Sequence, residues 1–254
     1  MAWSQWKARL KEPEIIVLAD GSAMAVRAAE EIVHFSGEAI CTHGQFSLCL
    51  TGGNTPAPIY ELIATRFHLS VDWNAVQLFW GDERCVPPDH PASNYGMAQR
   101  TMLSKLSLRA DQVHRMRGED PPEEGARAYE ELLREQFGLE EGEVPRFDLV
   151  LLGLGDNVHT ASLFPGQPAL HESTRLVVPV DVDAEPRRRL TMTVPTLNQA
   201  ARVMFMVAGE GKAQAVKAAL QGPRDPERFP AQLVAPTHGE VMWVLDKAAA
   251  RLLS

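Results

Sequence analysis

Phe147-Asp-Leu-Val-Leu-Leu-Gly153 is, apart from Asp148, an unbroken apolar run that closes on glycine. A half-exposed strand alternates in polarity. A run that does not is buried on both faces, which is the habit of strands in parallel sheets. Upstream the signature recurs in Glu14-Ile-Ile-Val-Leu-Ala-Asp20, Phe46-Ser-Leu-Cys-Leu-Thr51 and Val76-Gln-Leu-Phe-Trp80, and downstream at 176–180, 189–194, 203–207 and 241–245. Helical periods separate most of these runs. One over 22–41 places Ala25, Ala29, Ile32 and Val33 on one face, and another gathers Tyr60, Ile63 and Ala64. Further helices are expected over 94–105, over 121–137 with Tyr129, Leu132, Leu133 and Phe137 inward, and over 211–220. Strand and helix in alternation call for a mostly parallel sheet covered on both faces. The stretches 117–124 and 221–230 are too short to be linkers, so residues 1–254 read as one α/β domain.

Composition bounds the function. The chain has 254 residues, 45% hydrophobic and 23% charged, enough to bury a core without disulfides. Its 25 basic against 33 acidic residues give a net charge of −8, which argues against nucleic-acid and anionic-membrane partners. No apolar stretch approaches the ~18 residues of a membrane span. The opening Met1-Ala-Trp-Ser-Gln-Trp-Lys-Ala-Arg9 lacks the apolar core and cleavage site of a signal peptide, so a cytoplasmic protein is expected. Cys41, Cys49 and Cys85 are odd in number and lack C-x-x-C spacing, which points away from zinc and from a disulfide framework. No metal or cofactor is expected. An anionic ligand would need a local basic pocket.

In parallel sheets ligands bind beyond the carboxyl ends of the strands, and four such loops carry unusual chemistry. In Thr51-Gly-Gly-Asn-Thr-Pro56, Gly52 and Gly53 allow close backbone approach, Thr55 suits a helix cap and Pro56 its first turn. The result is a cradle for phosphate, or simply a well-capped turn. In Trp80-Gly-Asp-Glu-Arg-Cys-Val-Pro87, Asp82 can orient a base or cation and Arg84 offers a planar fork to an anion; a structural ion pair is the plainer reading. In Gly153-Leu-Gly-Asp-Asn-Val-His159, the valine stands where a dinucleotide fingerprint needs its third glycine. His159 is expected at a helix start, whose dipole would keep the imidazole neutral. In Gly209-Glu-Gly-Lys212 the pattern of a P-loop is absent, and Lys212 at a helix start is unfavourable unless an anion sits there. Of Arg187, Arg188 and Arg189, the last is the best candidate to point inward. There is no G-x-S-x-G elbow and no H-E-x-x-H motif, so hydrolysis would use a base-activated water.

Taken in order, these segments resemble the 6-phosphogluconolactonase family, within the glucosamine-6-phosphate isomerase/deaminase superfamily. The matching residues are Thr51–Pro56, Trp80–Pro87, Ser93-Asn94, Gly153-Leu-Gly155, His159-Thr-Ala-Ser-Leu-Phe-Pro165, Leu190-Thr-Met-Thr-Val-Pro195, Leu197-Asn198, and Gly209 with Lys212. The resemblance implies a Rossmann-like three-layer α/β/α sandwich without a nicotinamide cofactor. Its substrate would be a small phosphorylated sugar lactone, and the protein a monomer or weak homodimer. It implies His159 as base, Arg84 at the developing oxyanion, and Asp82 or Asp156 as orienting acid. Gly52, Gly53, Thr55, Arg189 and Lys212 would then face phosphate. One departure stands out. The family usually has Pro-Asp-Gly before its histidine, where this chain has Asp156-Asn157-Val158, so Asp156 takes over as the acid or Asn157 holds the histidine by hydrogen bonding. The rivals are a sugar-phosphate isomerase/deaminase, disfavoured by the absence of an acid in Ser162-Leu-Phe-Pro165, and a non-catalytic sugar-phosphate sensor.

Overall fold

Every residue of Phe46–Leu50 and of Leu149–Leu152 is buried, as their lack of alternation demands. The computed structural model describes residues 12–254. In chain order its elements are β1 (Glu14–Leu18), α1 (Gly21–His43), β2 (Phe46–Leu50), α2 (Pro56–Thr65), β3 (Val76–Trp80), β4 (Asp82–Arg84), α3 (Asn94–Thr101), α4 (Pro122–Phe137), β5 (Leu149–Leu152), β6 (Val177–Asp181), β7 (Arg188–Met192), α5 (Val194–Asn198), β8 (Arg202–Val207), α6 (Ala213–Leu220), β9 (Glu240–Asp246) and α7 (Lys247–Ala250). Short 3₁₀ turns link several of them.

Six strands form an all-parallel sheet in the order β1-β9-β8-β5-β2-β3, flanked by helices. The first long helix is closed at both ends: Asp20 accepts from Ala23 N–H at 2.8 Å, and Gly44 supplies φ +84° at the other end. The core is carried by β2, β3, β5 and β8 with Ile59, Tyr60 and Ile63 of α2 packed against it.

Three expectations change. The strands at 176–180 and 189–194 exist but leave the main sheet; with β4 they form a three-stranded antiparallel sheet, order β4-β7-β6. The reason is connection length. No helix separates β6 from β7, and a parallel crossover needs about a dozen residues. Asp82-Glu83-Arg84, read as loop, is the strand β4. The helix over 94–105 ends at Thr101, followed by a 3₁₀ turn Leu103–Lys105, and that over 211–220 begins with a 3₁₀ turn, Glu210–Lys212.

The outer edge of β3 is paired rather than open. Gln112 Nε2 donates to Val76 O at 2.7 Å, His114 N–H to Leu78 O at 2.8 Å, and Trp80 N–H to the Tyr129 hydroxyl at 2.9 Å. These contacts satisfy backbone groups that an edge strand would otherwise present. They also hold the strand end that leads into β4. Tyr129→Phe strands a buried N–H and is expected to lower stability by about 1–3 kcal/mol. Urea unfolding checks this, and an unchanged midpoint would contradict it.

Candidate active site

Strand order places the loops after β8, β5, β2 and β3 side by side at the carboxyl edge of the sheet. Gly81 stitches the two sheets together there: its N–H donates to Leu50 O at 3.0 Å and its carbonyl accepts from Met192 N–H at 2.8 Å. The antiparallel ladder is thereby fixed across the mouth of the parallel sheet.

His159 lies in the loop after β5. No helix follows it, so the expected dipole effect is absent. A tight turn holds it instead. Val158 N–H donates to Gly155 O at 2.9 Å, and Gly155 N–H donates to His159 O at 2.8 Å. A Cβ on Gly155 would sit 2.0 Å from the imidazole, so glycine is required for the ring to lie there. Val158 takes φ +64° and Ala161 φ +47°, a backbone region that costs a β-branched residue about 1–3 kcal/mol. Burial of the Val158 side chain, 3% exposed, anchors the strained turn.

The imidazole Nδ1 lies 2.5 Å from Asn157 Oδ1. An amide oxygen only accepts, so Nδ1 carries the proton and Nε2 keeps its lone pair. Burial, then the positive charges of Arg189 and Lys212, lower the His159 pKa to about 4, against a smaller pull upward from Asp156. The imidazole is neutral as expected, but through desolvation and cations.

Arg84 and Arg189 are directly opposite each other in the β4–β7 register. Like charges so placed repel. Arg189 is 8% exposed, and burial together with Arg84 presses its pKa below the ordinary guanidinium value. The Nε atoms of both arginines are buried without a hydrogen-bond partner among the described residues. Arg84 Nη1 is held by Ala92 O at 2.6 Å. Two facing guanidinium groups with unused donors form a locus for an anion.

The expected acids sit elsewhere. Asp156 Oδ1 pairs with Lys212 Nζ at 2.6 Å, its side chain 83% exposed. Asp82 is buried, accepting from Ser162 Oγ at 2.7 Å and Asn94 Nδ2 at 3.2 Å. Neither bonds the imidazole among the described residues; of the three candidates, the side chain that meets it is Asn157. Asp82 buttresses the loops instead. Its neighbour Glu83 accepts from the backbone N–H groups of Arg84, Asn94 and Tyr95, which pull its pKa down against the stronger upward push of burial. The cap assigned to Thr55 is not made: it has helical φ and ψ and no side-chain capping bond, whereas Pro56 sits in the first turn as expected. Gly53 adopts φ +105°, and a Cβ on Gly52 would lie 1.7 Å from Asn94 Oδ1. Lys212 ends a 3₁₀ turn directly before α6. Sequence reasoning passed over Phe164, whose ring stacks on His159 at 4.0 Å and 18°. Its place in the motif was visible; its contact was not.

Among the described residues no group of three or more His, Cys, Asp or Glu side chains is gathered to hold a metal, and no helix is long and apolar enough to cross a membrane. A neutral, half-buried imidazole beside facing guanidinium groups, at the carboxyl edge of a parallel sheet, defines an α/β protein suited to base chemistry on an anionic ligand. A model of the family "glucosamine-6-phosphate isomerases/6-phosphogluconolactonase" matches residues 19–243, and the chain belongs to that family. A 6-phosphogluconolactonase of Synechocystis sp. is 40% identical over 242 residues, covering 95% of this chain and 98% of that one. One of Mycobacterium tuberculosis is 36% identical over 245 residues, covering 94% and 98%. The solved structure of 6-phosphogluconolactonase from Trypanosoma cruzi superposes with TM-score 0.85 at 29% identity, over 96% of this chain and 99% of that one.

The hydrogen-bond partner of His159 sets its titration. Asn157→Asp replaces an amide by a carboxylate at Nδ1 and is expected to raise the imidazole pKa by about 1–2 units from its value near 4. Proton NMR of the imidazole checks it; an unshifted titration would place Asn157 away from the ring.

Proposed function

We infer that this chain hydrolyses 6-phospho-D-glucono-1,5-lactone to 6-phospho-D-gluconate, the lactone-opening step of the oxidative pentose phosphate pathway. The observation that carries the reading is the His159–Asn157 pair facing the Arg84–Arg189 ladder. It joins a base with a free Nε2 to an anion locus, as hydrolysis of a phosphorylated lactone requires. Relatives bearing the lactonase name at 36–40% identity over nearly full length support the same substrate.

His159 Nε2 takes a proton from water as the oxygen attacks the C1 carbonyl, and the tetrahedral oxygen develops negative charge. Arg84, fixed by Ala92 O, offsets that charge. The C1–ring oxygen bond then breaks, and the Nε2–H returns the proton to the departing ring oxygen. The phosphate sits against Gly52, Gly53 and Thr55, with Arg189 and Lys212 as its cations. Thr55 is free for this role because it makes no bond to its own helix. Lys212 is already paired with Asp156, an exposed contact worth roughly 0–1 kcal/mol, so phosphate displaces it readily. δ-Lactones open slowly in water unaided. One positioned base, worth ~10²–10⁴-fold, together with orientation is sufficient. No acid follows the histidine in Ser162-Leu-Phe-Pro165 to serve an isomerase or deaminase.

A coupled assay of lactone opening tests the reading. His159→Asn is expected to lower kcat about 10²–10⁴-fold with the fold intact. Wild-type kcat/KM is expected to decline first as the substrate phosphate gains a proton at about pH 6, and again as protonation of His159, near 4, removes the base. Bound phosphate favours the imidazolium, so the His159 limb of kcat lies at higher pH than the His159 limb of kcat/KM. A His159→Asn variant with wild-type turnover would exclude the mechanism. Binding of 6-phosphogluconate without any lactone opening by the wild type would mark a sensor.

A further inference from the structure

One aromatic ring touches both the base and a guanidinium of the anion locus. The Phe164 ring lies against the His159 imidazole, centroids 4.0 Å apart and planes 18° from parallel, and the Arg189 guanidinium carbon stands 5.5 Å from the same centroid. Phe164 is half-buried. It belongs to a loop pinned from two sides: Ser162 Oγ donates to Asp82 Oδ2 at 2.7 Å, and Ser162 N–H to Thr191 Oγ1 at 3.3 Å. The ring is thus carried on a fixed support, and what it covers is the reacting side chain.

We propose that Phe164 is a positioning residue for the reaction: its ring holds the imidazole plane in line with the Asn157 bond and sets the base in fixed relation to Arg189. This rests on His159 acting as the base. The charged groups facing His159 are Arg189 on β7, Arg84 on β4, Lys212 after β8 and Asp156 in its own loop. Three of the four are cations that oppose the imidazolium formed during turnover. The π face of Phe164 is a neutral surface that attracts that imidazolium while excluding water. An aliphatic side chain of similar bulk would exclude water equally and attract nothing. The aromatic ring therefore aids protonation of His159 in the transition state and stops the imidazole from turning away from Asn157.

The test follows the His159 imidazole by NMR pH titration in wild type, Phe164→Leu and Phe164→Tyr, beside kcat and KM for 6-phosphogluconolactone. Phe164→Leu is expected to weaken His159 protonation about two- to fivefold, the worth of one exposed cation–π contact. It is expected to lower kcat about tenfold through loss of alignment while KM moves less than about threefold. Phe164→Tyr keeps the ring and is expected to preserve both. A Leu variant that melts like wild type, titrates like wild type and turns over like wild type overturns the proposal. So does a fall in kcat with an unmoved His159 titration, since bulk alone would then be at work. Full turnover by His159→Asn would sink the functional reading instead, and the titration comparison would still decide whether Phe164 acts on the imidazole.

Discussion

Two guanidinium groups facing each other across a three-residue ladder are the constraint around which the site is organised. Arg84 and Arg189 repel, and neither Nε finds a partner among the described residues. The fold holds them together through bonds made elsewhere. Gly81 ties the ladder to β2 and β7, and buried Glu83 fastens β4 to the start of α3 through Asn94 and Tyr95. The unused attraction is left for whatever anion arrives. Together with burial, the larger cause, the same cations lower the pKa of His159 and so favour its neutral imidazole.

A second tension lies in the backbone that carries His159. Val158 and Ala161 both hold left-handed φ values, flanking His159 and Thr160. Gly155 has no side chain where the imidazole lies. Strain of this kind persists only where surrounding packing over-determines it, and here the buried Val158 side chain and the Ala231 N–H bond to Val158 O, at 3.0 Å, supply that packing. A valine thus holds a left-handed turn conformation that glycine would adopt without strain.

What could be read from residues alone follows from which physics is local. Apolar runs such as Phe46–Leu50 announced buried parallel strands, and glycines and helix periods marked where the loops must lie. The antiparallel sheet was missed as a separate body because its existence depends on the short β6–β7 connection and on Gly81 bridging two sheets, which are pairings between distant segments. At the site, His159, Arg84, Arg189 and Lys212 stood out as unusual residues at strand ends. Which carboxylate or amide meets the imidazole was not legible. Asp156 and Asn157 are adjacent in sequence, and only the turn geometry turns one toward Lys212 and the other toward Nδ1. The Phe164 contact is of the same kind, a packing event that a motif can contain without revealing.

If facing arginines and Lys212 exist to hold a phosphorylated lactone, charge on the substrate must carry most of its recognition. The most direct measurement compares kcat/KM for 6-phospho-D-glucono-1,5-lactone with that for the unphosphorylated lactone at low and moderate ionic strength. The expected result is a strong preference, at least about 10²-fold, for the phosphorylated substrate, one that weakens as salt rises. Equal kcat/KM for the two lactones, or a preference indifferent to salt, would contradict the account.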